Sequence, residues 1–256
     1  MTKYILALFA IFAFMTLTAV AQQTCGDTDY NCKIAAQTRL IQSDPNNIEA
    51  YYNRGMAYKN SGDFAAALAD FSKYLTFTNT NKEFLSDGYN ERGFARYKTD
   101  DLAGALADYN KAIATNPSNG SAYFRRGLLN YDQKKYPASV ADYDQSLKLD
   151  PDNYEALYNR AQAYRFMSSC DRAIADYTSY IAVNSAKLEY AADGYRGRGM
   201  CYNLTAKYDQ AIADLSKAIQ LDPSKPLSYT ERAKAYRKLG KTALADADDA
   251  KAAELK

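Results

Sequence analysis

Residues 48–75 read IEAYYNRGMAYKNSGDFAAALADFSKYL. Within this stretch Arg54 precedes a glycine, and Asp70 follows sixteen residues later in an Ala-Asp step. The same arrangement returns as Arg92/Asp108, Arg126/Asp142, Arg160/Asp176, Arg198/Asp214 and Arg232/Asp248. Each arginine stands before a small residue (Gly55, Gly93, Gly127, Ala161, Gly199, Ala233), and the arginines recur at intervals of 38, 34, 34, 38 and 34 residues. A period near 34 residues marks stacked helix–turn–helix units, none of which can bury its apolar face alone. The fold implied is all-α, an α-solenoid of about six tandem units.

Setting each arginine at position seven divides the chain into repeats 48–85, 86–119, 120–153, 154–191, 192–225 and 226–253. An aromatic then stands at position four in five repeats (Tyr51, Tyr89, Tyr123, Tyr195, Tyr229), with Leu157 in the other. A small residue occupies position twenty: Ala67, Ala105, Ser139, Ala173, Ala211 and Ala245. Position twenty-four holds Phe71, Tyr109, Tyr143, Tyr177 and Leu215 in the first five, and Pro117, Pro151 and Pro223 close three repeats where a helix cannot continue. In these marks residues 48–253 resemble the tetratricopeptide-repeat (TPR) family, and the resemblance implies a right-handed α-solenoid.

A longer repeat overlies the short one. Shifting the chain by 106 residues aligns Asp44-Pro45 with Asp150-Pro151, Tyr74 with Tyr180, and Asp87-Gly88-Tyr89 with Asp193-Gly194-Tyr195. The array therefore reads as a duplicated three-repeat block. Each block opens with a 38-residue repeat, the extra residues lying in 77–85 and 183–191. Four residues are close to one helical turn and leave a helix face nearly unchanged. A longer second-unit helix tuning curvature is the preferred reading, and a recognition loop is the alternative.

With 32 basic and 30 acidic residues the formal net charge is +2, or +1 without Lys3. No basic stripe for nucleic acid stands out. The absence of histidine removes the commonest general base and metal ligand. Residues 1–21 read as a secretory signal: Lys3 gives the positive start, Tyr4 to Thr18 are almost wholly apolar, and Ala19-Val20-Ala21 offers cleavage before Gln22. An uncleaved anchor is the alternative, because the apolar run approaches the short edge of a bilayer span. Periplasmic or secreted localisation, without membrane attachment after cleavage, is the expectation.

Export gives the four cysteines a meaning, since an even count in an oxidising compartment reads as disulfides. Cys25 pairs with Cys32 in the segment 22–47, whose amphipathic stretch (Ile34, Ala35, Leu40, Ile41) resembles the closing helix of a degenerate repeat. Cys170 opens the second helix of the fourth repeat and Cys201 lies in the next first helix. Antiparallel stacking brings them within about one turn, roughly 6 Å, so a second disulfide is expected. Two buried free thiols filling that contact are the alternative. A zinc site would need thiolates from both distant pairs.

Each aspartate of the sixteen-residue pairs can reach its own arginine or that of the next repeat, giving a structural ladder suited to arginine's planar fork. A row of anion sites is the functional alternative. In the family the first helices line a concave face. That resemblance assigns to a peptide-binding groove Tyr52, Met56, Asn90, Phe94, Tyr97, Phe124, Leu128 and Tyr131, then Tyr158, Arg165, Phe166, Arg196, Met200, Asn203, Lys234 and Arg237. The first three repeats present aromatic and Met surface, and the last three grow cationic, both types being enriched at interfaces. Chaperone-tail binders of the family carry a carboxylate clamp with Lys and Asn at positions five and nine of the first repeat. Here Tyr52 and Met56 stand there, and the clamp is absent.

Neither a His-dependent triad, a phosphate-cradling Gly-rich loop nor metal-ligand spacing is present, so no enzyme activity and no cofactor are expected. The function expected is that of an exported scaffold binding a protein or peptide, in the envelope of a bacterium. A self-associating structural module is the alternative, with an enzyme using an unrecognised site as the remote one.

Overall fold

The computed structural model describes residues 25–77 and 81–255, so the signal read at 1–21 lies outside the described residues. The described residues form thirteen helices and no strand. Helix α1 (Tyr30–Ser43) is followed by α2 (Ile48–Ser61), α3 (Phe64–Tyr74), α4 (Lys82–Lys98) and α5 (Leu102–Thr115). Next come α6 (Gly120–Asp132), α7 (Tyr136–Leu149), α8 (Tyr154–Phe166) and α9 (Cys170–Val183). Then α10 (Leu188–Leu204), α11 (Tyr208–Leu221), α12 (Pro226–Lys238) and α13 (Thr242–Glu254) complete the order.

Short polar residues start many of these helices. Asn47, Asp63, Asn119 and Asn153 each accept a hydrogen bond from the backbone N–H three residues on, at 2.9–3.0 Å. Such caps satisfy donors that the first turn would otherwise leave orphaned. Each first helix ends one or two residues before position fifteen of its repeat, where the backbone turns left-handed: Gly62 (φ 88), Asp100 (φ 66), Lys134 (φ 57), Ser168 (φ 57), Ala206 (φ 56) and Gly240 (φ 71). Only two of the six are glycine, the residue that adopts this conformation without a Cβ clash.

The small residue after each arginine has a packing cause. A Cβ on Gly55 would lie 2.9 Å from the Phe71 ring. At Gly93, Gly127 and Gly199 it would lie 2.8, 2.7 and 2.8 Å from Tyr109, Tyr143 and Leu215. Position eight thus lets the large side chain at position twenty-four lie against the first helix backbone. Phe71, Tyr143 and Leu215 are fully buried there.

Four first helices begin at position one of their repeat, namely α2, α6, α8 and α12. The other two, α4 and α10, begin four residues earlier and are 17 residues long. The extra residues of the 38-residue repeats therefore add a helical turn to the following first helix.

The helices fall into two compact units, one ending at Thr115 and one beginning at Asn116. In the first unit each helix from α1 to α5 packs on its neighbour in sequence. In the second unit consecutive helices from α6 to α13 do the same. There α6 also meets α8, α8 meets α10 and α10 meets α12, so first helices form the tighter side of that stack.

A disulfide joins Cys25 to Cys32 ahead of and inside the first turn of α1, where Asp29 accepts from the Cys32 N–H at 2.9 Å. The second expected disulfide is corrected: Cys170 and Cys201 are free thiols. They do share one buried cluster with Ala161, Tyr164, Ala173 and Tyr177. Burial pushes the Cys201 thiol well up, and the neighbouring Cys170 reinforces this through charge and a hydrogen bond. Two buried thiols fill the contact without a covalent link.

Candidate functional site

All six arginines bond their own aspartates. Nε and Nη2 reach the two carboxylate oxygens of Asp70, Asp108, Asp176, Asp214 and Asp248 in parallel at 2.7–2.9 Å. Arg126 reaches Asp142 at 2.6 Å through Nη2, and Asn130 adds a bond at 2.9 Å. The inter-repeat link comes from the arginine rather than the aspartate. Nη1 donates upstream to Thr38 from Arg54 (3.1 Å), Asp144 from Arg160 (2.6 Å), Thr178 from Arg198 (3.0 Å) and Ser216 from Arg232 (2.9 Å). Bonding to Asp70 raises the Arg54 guanidinium above its ordinary value, and bonding to Asp214 and Asp248 does so for Arg198 and Arg232. At Arg160 burial opposes the charge, but Asp176 and Asp144 together win. These cations are engaged by the fold, which removes them as a row of open anion sites.

In the first unit, Tyr52 lies edge-on to Phe71 and tilts on Tyr74, with ring centroids 5.8 and 5.2 Å away. Met56 packs on the Ala67–Phe71–Ala95 cluster. Phe94 meets Phe64 edge-on at 6.0 Å, and the Lys98 ammonium sits 5.6 Å from Phe94 and 5.9 Å from Tyr97. Asn90 is corrected as groove surface, because it is buried at 3% exposure. A cavity of about 740 Å³ opens in this unit, lined by Ile48, Glu49, Tyr52 and Asn53 of α2, Tyr74 of α3, and Asn81, Phe84 and Asp87 at the start of α4.

In the second unit, Phe124 tilts against Tyr143 at 6.0 Å, and Leu128 is half-buried on the same helix. Tyr131, Tyr136 and Phe166 form one aromatic group. Tyr136 stacks on Phe166 at 5.2 Å, Tyr131 meets it edge-on at 6.0 Å, and the Arg165 guanidinium lies 4.4 Å from its centroid. Tyr158 packs between Tyr177 and Tyr180 at 5.9 and 5.0 Å, and burial raises its hydroxyl pKa. Arg196 pairs with Asp193. Arg237 pairs with Asp246 and Asp249 of α13.

Four of the expected groove residues come together. Arg165 of α8, Met200 and Asn203 of α10, and Lys234 of α12 line a cavity of about 390 Å³ with Leu204, Tyr208, Glu231 and Lys238. Lys234 donates to Glu231 at 2.6 Å, and the Asn203 amide donates to the Glu231 backbone carbonyl at 2.9 Å. The cavity thus holds three cationic side chains and one carboxylate beside Met, Leu and Tyr surface. Arg165 Nε is buried without an acceptor and Asn203 Oδ1 without a donor. Buried polar atoms are ordinarily satisfied, and an incoming carboxylate or amide would supply what these two lack.

Sequence reasoning passed over Glu49, Asn53, Glu231 and Lys238, which occupy inward positions two, six, six and thirteen of their repeats. The register contained them, but the selection made within it was incomplete and leaned on aromatic and cationic residues.

Comparison with known proteins bears on the family. Models described as tetratricopeptide repeat match residues 91–154, and residues 37–69 and 142–175. A model described as TPR repeat matches 205–240. No curated protein sequence matches significantly. Among solved structures, the C-terminal part of a TPR repeat-containing protein from Cytophaga hutchinsonii is 17% identical with a TM-score of 0.67, over 88% of this chain and 87% of that one. YrrB, described as a TPR protein with an unusual peptide-binding site, is 18% identical with a TM-score of 0.62, over 75% and 95%. MamA from Desulfovibrio magneticus RS-1 is 18% identical with a TM-score of 0.61, over 70% and 97%. At these identities the likeness is one of fold.

Proposed function

The chain belongs to the tetratricopeptide-repeat family, and from that premise we propose that it is an exported scaffold holding a protein or peptide segment against its first helices, in the envelope of a bacterium. The observation carrying this reading is the convergence of Arg165, Met200, Asn203 and Lys234 on one cavity. The register of the family points these residues inward from three separate helices. Apolar wall, excess positive charge and two unsatisfied polar atoms suit an extended chain bearing a carboxylate. YrrB, a protein of the same fold, is described as having a peptide-binding site. Export is supported by the signal read at 1–21 and by the Cys25–Cys32 disulfide, a bond that persists in oxidising compartments. The role is one of binding, without catalysis.

Affinity capture from envelope extract tests it, using the wild type beside an Arg165→Ala/Met200→Ala/Lys234→Ala variant of unchanged helicity. The expected result is a partner retained by the wild type and lost by the variant. Identical capture by both would overturn the groove.

A further inference from the structure

The internal duplication repeats one seam in two forms. In the first unit the Lys59 ammonium of α2 meets the Glu91 carboxylate of α4 at 2.8 Å, with only 12% and 10% of the two side chains exposed. A charge buried to that depth is costly without its counterion. The residues 106 places onward are Arg165 of α8 and Gly197 of α10. The second unit thus keeps the cation and lacks the acid.

Tyr177, the counterpart of Phe71, lies against the bare glycine. A Cβ on Gly197 would come within 2.4 Å of its ring, too close for an acidic side chain to start there. Arg165 reaches the Tyr177 hydroxyl, but burial raises the pKa of that hydroxyl and it brings no negative charge. Among the described residues Arg165 has no carboxylate partner, and its Nε is buried without an acceptor. Two neighbours differ as well. Asn203 is the counterpart of Tyr97, and with its amide held by the Glu231 carbonyl at 2.9 Å its Oδ1 stays buried without a donor. Leu204 is the counterpart of Lys98, whose ammonium lies 5.6 Å from Phe94 and 6.0 Å from Phe64. Leu204 instead lines the second unit's cavity with 64% of its surface exposed.

We propose that an acidic side chain of the partner polypeptide pairs with Arg165, doing from outside what Glu91 does from within for Lys59. The inference rests on the peptide-binding reading above and names both the group recognised and the residue that selects it. Of the three cations lining the cavity, Lys234 is already matched by Glu231 at 2.6 Å, and Lys238 is exposed, where water and salt screen it. Arg165 is half-buried and has the vacant donor, so the countercharge counts most there. A backbone N–H of the bound segment meets Asn203 Oδ1, and an apolar neighbour of the acid covers Leu204. A neutral amide in the acid's place would leave the guanidinium without countercharge, which gives discrimination as well as affinity.

Fluorescence anisotropy of the full chain with labelled, end-blocked hexapeptides tests the proposal. One carries a central glutamate between leucines, and two others carry glutamine or lysine in its place. A fourth combines the glutamine centre with a free C-terminal carboxylate. The glutamate peptide is expected to bind at least about tenfold more tightly than the other three, and to weaken as salt rises. Arg165→Gln should lose about tenfold for the glutamate peptide and leave the glutamine peptide unchanged, a split that general unfolding would not produce. Equal binding of the glutamate and glutamine peptides would overturn it, as would full affinity in Arg165→Gln or no binding by any of the four. A free C-terminal carboxylate that binds as well as glutamate would overturn the side-chain source and assign the site to a chain end. Capture from envelope extract separates the two readings. If the partner is lost by Arg165→Ala/Met200→Ala/Lys234→Ala but kept by Arg165→Gln, this inference falls while the scaffold reading stands; if both variants keep it, both fall.

Discussion

Arg160 gives two parallel hydrogen bonds to Asp176, Nε to Oδ2 at 2.8 Å and Nη2 to Oδ1 at 2.7 Å, while its third nitrogen holds Asp144 of the preceding repeat at 2.6 Å. Asp176 is nearly buried, and Asp144 is about half exposed. Arg160→Ala would strand the Asp176 carboxylate, so a loss of roughly 2–4 kcal/mol is expected, below the full cost of a wholly buried pair. Arg160→Lys should recover less than half, because a point charge cannot reproduce the fork. Urea melts decide this, and full recovery by lysine would show that charge alone suffices.

Gly127 measures how closely Tyr143 approaches the first helix. A Cβ there would lie 2.7 Å from the ring, whereas at Gly26 it would meet nothing within 4 Å. Gly127→Val should cost roughly 1–3 kcal/mol from overpacking, with Gly26→Ala near neutral. Thermal melts of the two variants give the comparison.

Ala206 holds a left-handed backbone at φ 56, which Gly62 at φ 88 holds without strain. Ala206→Gly should stabilise by up to about 1 kcal/mol, and Gly62→Ala should destabilise by a similar amount. A melting temperature that falls for Ala206→Gly would refute the conformational account.

Tyr74 sets an alkaline limit. Burial, then the charge of Asp87, pushes its hydroxyl up to about 12 from an ordinary value of 10.0. Its hydroxyl also donates to the Phe84 carbonyl at 3.0 Å. Between these values the unfolded chain ionises first and binds fewer protons than the folded one, so stability falls as pH rises from about 10. Melts at pH 9, 10 and 11 should show a steeper decline in the wild type than in Tyr74→Phe.

The cysteines make a count. Under denaturing conditions without reductant, two thiols should react, at Cys170 and Cys201, and reduction should release two more at Cys25 and Cys32. In the native state both free thiols should resist alkylation, being buried. Peptide mapping that found Cys170 bridged would restore the disulfide.

The repeat was legible because Arg54 and Asp70, and each pair after them, mark a contact fixed by backbone geometry. The glycines beside the arginines were equally legible, since they answer to Phe71, Tyr109, Tyr143 and Leu215. The upstream reach of Nη1 to Thr38, Asp144, Thr178 and Ser216 was not, because hydroxyl and carboxylate share no single residue type to search for. Spacing brought Cys170 and Cys201 together, but proximity does not decide whether two sulfurs bond. Of the residues expected to face inward, Arg165, Met200, Asn203 and Lys234 share one cavity. Asn90 had the right position on its helix, yet it lies beneath the surface.

The upstream partners of the arginines give the stack seams of unequal strength. Between the third and fourth repeats Arg160 faces the carboxylate of Asp144, and parting the seam separates opposite charges. Between the fifth and sixth, Arg232 faces only the hydroxyl of Ser216, which water replaces at little cost. Fraying and proteolytic entry should therefore start at a hydroxyl seam, such as that of Ser216 or Thr178, before the charged one. Salt should narrow the difference by screening the charged seam while leaving the other untouched.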